Sequence, residues 1–90
     1  MDGLAMMEVN DLPEDPARRR EEIARLEEEI ASLKREQAAC ESKARDLMRR
    51  EAEGEGVYAA EIHQNKQNKM RLLTEIKHRR VLINHLLMGM

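Results

Sequence analysis

Three histidines, one cysteine, four hydroxyl side chains and a Gly54-Glu55-Gly56 segment are the features of this 90-residue chain that invite a chemical reading. His78 and His85 are seven residues apart, roughly 10 Å along a helix, which is too far for one metal ion. His63 has no His, Cys or acidic residue four positions on, so no ligand pair forms there on a helix. Cys40 stands alone and cannot close an internal disulfide, which favours a reducing compartment. Its place in an apolar heptad makes it a small hydrophobe rather than a reactive thiol. Ser32, Ser42, Thr74 and Tyr58 show no spacing that would supply an activated nucleophile. Gly54-Glu55-Gly56 lacks the Lys-Ser/Thr that completes a phosphate loop. The expectation is therefore no catalytic, cofactor-binding or metal-ligating set, no cofactor, no small-molecule substrate and no enzyme activity.

Charge is the remaining chemical signal, and it is unevenly spread. Residues 1–60 hold 10 Lys/Arg against 16 Asp/Glu, whereas residues 61–90 hold 6 against 2 together with all three histidines. Arg18-Arg19-Arg20 and Lys77-His78-Arg79-Arg80 are the two cationic clusters, and phosphate contact is one use for them. Glu14, Asp15, Glu21 and Glu22 flank the first cluster, however, and no aromatic lies near it for base stacking. Two halves of opposite sign that face each other account for the asymmetry better.

The elements that carry these charges are helices. Charged residues make up 38% of the chain and Tyr58 is its one aromatic, a balance that suits long helices and starves a compact globular core. Residues 1–14 read as a flexible acidic tail without periodicity. Asp15-Pro16 is a helix start, with Asp as cap and Pro in the first turn. Nothing breaks a helix over 15–53. Two glycines within residues 54–56 mark a turn, because each costs about 1 kcal/mol inside a helix. A second helix follows over 57–88, basic along its length and apolar at its C-terminal end.

Heptads set how the two helices meet. Ile23, Leu26, Ile30, Leu33, Gln37, Cys40, Ala44 and Leu47 alternate steps of three and four, a coiled-coil seam. Ile62, Asn65, Lys69, Leu72, Ile76, Arg79, Ile83, Leu86 and Met90 form a second stripe, offset from the first register by four residues. In an antiparallel hairpin every layer pairs: Leu47 with Ile62, Ala44 with Asn65, Cys40 with Lys69, Gln37 with Leu72, Leu33 with Ile76, Ile30 with Arg79, Leu26 with Ile83, and Ile23 with Leu86. The centre of that register falls between Gly54 and Glu55. Flanking charges agree, with Glu27–Arg80, Glu41–Lys66 and Arg50–Glu61 attractive and only Glu36–Glu75 repulsive. The expected fold is all-α, an antiparallel two-helix coiled-coil hairpin. One long continuous coiled-coil helix with a stutter near Gly54 is the alternative.

Function follows from what such a hairpin leaves uncovered. Between Val81 and Met88 only Asn84 and His85 are polar, and a helix apolar on nearly every side expects more than one neighbour. Leu73, Val81, Leu82, Leu87 and Met88 lie beside the seam and are the expected partner-binding residues. The expected role is a structural or adaptor subunit that completes a helical bundle with other helical proteins, as a hetero-oligomer rather than a homodimer. A nucleic-acid-associated protein working through its basic second helix, or a small helical inhibitor of an enzyme, are the alternatives. No apolar run reaches membrane-spanning length and the acidic N-terminus has no signal-peptide pattern. An intracellular site, cytoplasmic or nuclear, is expected.

Overall fold

The computed structural model describes residues 12–88. Two helices, α1 (Pro16–Ala52) and α2 (Ala59–Met88), pack side by side. The molecule measures 58 × 19 × 18 Å. A single rod through both helices would run to roughly 110 Å at 1.5 Å per residue, so the continuous-helix alternative is excluded. The chain is an all-α helical hairpin. Residues 1–11, most of the expected tail, lie outside the described residues.

Local chemistry explains each boundary. Asp15 caps α1: its backbone is extended and its Oδ2 accepts from the Arg18 amide at 3.1 Å, satisfying one of the free donors of the first turn. The C-terminus of α1 closes in a Schellman arrangement. The Glu55 amide donates to Arg50 O (2.9 Å), the Gly54 amide donates to Glu51 O (3.0 Å), and Gly54 sits at φ +76°. The turn spans residues 53–58, so α2 begins two residues later than the expected Val57. Tyr58 starts it, its carbonyl accepting from the Ile62 amide at 2.9 Å while its own amide donates to the Glu51 carboxylate. The Tyr58 ring covers Gly56, where an added Cβ would meet ring atoms at 3.0 Å.

Burial follows the heptads along most of the interface. Leu26, Ile30, Ala44 and Leu47 of α1 are buried with Ile62, Leu72, Ile76, Arg79 and Leu86 of α2. Ile23, Leu33 and Ile83 are half-buried. One position departs from the heptad pattern. Leu82, expected beside the seam and open to a partner, is 1% exposed and forms a cluster with Leu26 and Leu86. Leu12, Ile23 and Ile83 pack against that cluster. Three stretches of chain converge here, so α2 needs a broader apolar face than two seam positions provide, and Leu82 supplies it.

The cross-helix ion pairs also differ in detail from the expected ones. Glu41 pairs with Lys69 at 2.5 Å rather than Lys66, and Glu29 meets Arg79 at 3.4 Å. Arg50 turns to Asp46 of its own helix at 3.3 Å, and Glu75 takes Arg71 at 2.9 Å, which relieves the expected Glu36–Glu75 repulsion. Exposed pairs of this kind differ by tenths of a kcal/mol, so side-chain reach decides among neighbours in the same register.

Candidate functional site

Two surfaces merit description, an open groove midway along the hairpin and the outer face of α2 near its C-terminus. The groove, of about 320 Å³, is lined by Cys40, Glu41, Ala44, Arg45, Met48, Asn65, Lys66 and Lys69. It exists because these layers hold short or polar side chains. Asn65 faces Ala44, and its amide Nδ2 donates to Glu61 O of its own helix (2.9 Å) rather than across the seam. Lys69 holds the Glu41 carboxyl below its ordinary range, first by its hydrogen bond and then by its charge. Cys40 is a half-buried free thiol in this wall.

The C-terminal end of α2 is arranged differently. Val81 (48% exposed), Leu87 (52%) and Met88 (80%) turn away from α1, with Leu73 partly buried behind them. Lys77, Arg80 and Asn84 are exposed around them. Of the five expected partner-binding residues, these four keep surface for contact to different degrees, while Leu82 belongs to the core.

The cationic clusters divide between structure and surface. The Arg19 guanidinium donates from Nη1 to Leu86 O and from Nε to Glu14 O, each at 3.2 Å. Leu86 lies in the last turn of α2, whose carbonyls have no partner within the helix and carry partial negative charge. The antiparallel arrangement thus uses a cation that is misplaced at the N-terminus of α1 to cap the C-terminus of α2. Arg79 is 3% exposed, its stem lying in the seam and its Nη1 donating to Glu75 O at 3.2 Å. Arg18, Arg20, Lys77 and Arg80 remain on the surface. Leu12, Arg19, Glu29 and Glu51 are the working residues that heptad reasoning missed. Only the position of Arg19 in the first turn hinted at such a role.

Among the described residues, no group of three or more His, Cys, Asp and Glu is placed to hold a metal ion. No helix among them is long and apolar enough to cross a membrane. No protein-family model, curated protein or solved structure matches the chain. What defines it is the fold, a two-helix hairpin with a sealed open end and an apolar strip on the outside of α2.

Proposed function

We propose that this protein is a non-catalytic adaptor whose hairpin joins a coiled coil or helical bundle with another helical protein, through the outer face of α2. The observation that carries this reading is the exposure of Val81, Leu87 and Met88 together on a chain whose surface is otherwise densely charged. Apolar side chains grouped on one helix face are what a partner helix covers. Exposed Lys77 and Arg80 border the strip, so a partner with acidic residues beside its apolar stripe fits it. A second copy would bring these cations against their own kind. The nucleic-acid alternative has four surface cations available but loses Arg19 and Arg79 to internal contacts.

Affinity capture on the full chain, followed by reconstitution with the captured protein, tests the reading. The Leu87→Asp, Met88→Asp double variant is expected to keep its helicity and lose the partner. Retention of the partner by that variant, with loss on altering Tyr58 and Glu61 near the turn, would place the interface at the other end and overturn it.

A further inference from the structure

The outer strip of α2 has a candidate occupant within the same chain. Leu12 is packed against the Leu26, Leu82 and Leu86 cluster, so the chain that precedes it departs from the same end of the hairpin as the strip. Residues 2–11 read Asp-Gly-Leu-Ala-Met-Met-Glu-Val-Asn-Asp. Four large apolar residues, Leu4, Met6, Met7 and Val9, alternate there with three acids, Asp2, Glu8 and Asp11, and no base. The strip has the opposite signature, with apolar Val81, Leu87 and Met88 beside the exposed cations Lys77 and Arg80. Reach is sufficient. Ten residues span up to about 33 Å when extended, and the stretch from Leu73 to Met88 is roughly 22 Å of helix.

We infer that residues 2–11 dock on the outer face of α2 and shield it until a partner of similar acidic and apolar character displaces them. The inference rests on the reading of that face as a partner surface and adds an intramolecular competitor to it. Unbranched Met6 and Met7 adapt to an irregular strip of this kind. Asp2, Glu8 and Asp11 gain from Lys77 and Arg80, an attraction that salt screens.

Paramagnetic relaxation on the full chain tests this without any partner. A nitroxide is attached to Gly3→Cys in a Cys40→Ser background, and amide intensities are compared with the label oxidised and reduced. Docking is expected to at least halve the intensities of Val81, Asn84, Leu87 and Met88, while Val57 and Tyr58 at the far end of the molecule keep theirs. Changing Leu4, Met6, Met7 and Val9 to Ser is expected to restore most of the lost intensity, and concentrated NaCl part of it. Equal broadening in the parent and the serine variant would reveal a loose tether, and no broadening in either would reveal a segment that stays away. Each result would overturn the inference. Since no partner is in the tube, either failure leaves the adaptor reading standing, and a failed capture experiment leaves this one interpretable.

Discussion

The open end of the hairpin and its middle are built from the same seam but packed in different ways. At the open end Leu26, Leu82 and Leu86 are excluded from solvent, Leu12 closes over them, and Arg19 ties the start of α1 to the last turn of α2. In the middle, Cys40, Ala44, Asn65 and Lys69 leave a groove, held mainly by the exposed Glu41–Lys69 pair. Side-chain volume at equivalent positions accounts for the contrast. Where branched aliphatics face each other the layers interdigitate, and where Ala faces Asn they do not. Stability is thus concentrated at the end where the chain termini meet, while the turn end relies on Leu47, Ile62 and the Schellman closure.

Substitutions in the two regions are expected to have opposite signs. Leu26→Ala or Leu86→Ala removes a fully buried side chain and is expected to cost ~2–5 kcal/mol, read as a large fall in melting temperature. Leu82→Asp is expected to abolish most of the helical signal, whereas Leu87→Asp leaves it intact. Asn65→Leu, by contrast, is expected to fill part of the groove and raise stability by about 1 kcal/mol. Equal destabilisation by Leu86→Ala and Asn65→Leu would erase the distinction between the regions.

Smaller effects sharpen the comparison. Gly54→Ala forces a side chain into the left-handed region at φ +76° and is expected to cost about 1–2 kcal/mol, with open space around the added methyl. Arg19→Met removes the cap on Leu86 O and is expected to cost about 1 kcal/mol, seen as faster hydrogen exchange in the last turn of α2. The smallest effect is the pH response of the middle. Lys69 lowers the Glu41 pKa, so this pair favours the folded state above the ordinary carboxylate range and stops doing so as pH falls through the depressed value. The melting-temperature gap between the parent and Glu41→Gln is therefore expected at neutral pH and is expected to vanish well below pH ~4.

Much of this architecture was legible in residue order because the signals were local and repeated. Asp15-Pro16 states a helix start, eight heptad positions on each helix state a register, and Gly54 supplies the one left-handed residue that the turn requires. The burial of Leu82 was not legible. Leu82 and Ile83 flank the same line on α2, and which one is covered depends on Leu12, some seventy positions away in the chain. The choice of Lys69 over Lys66 for Glu41 was equally hidden, since both lie within reach in the same register and differ little in energy. On the outer strip, composition pointed to Leu73, Val81, Leu87 and Met88, and geometry graded them by exposure.

Native-state hydrogen exchange on the full chain, read amide by amide, tests the contrast between open end and middle most directly. The slowest amides are expected in the turns around Leu26, Ile30, Leu82 and Leu86, opening only with global unfolding, while those around Cys40, Ala44 and Asn65 exchange faster through local opening. Slowest exchange in the middle, with early loss of protection around Leu82 and Leu86, would contradict a hairpin held chiefly at its open end.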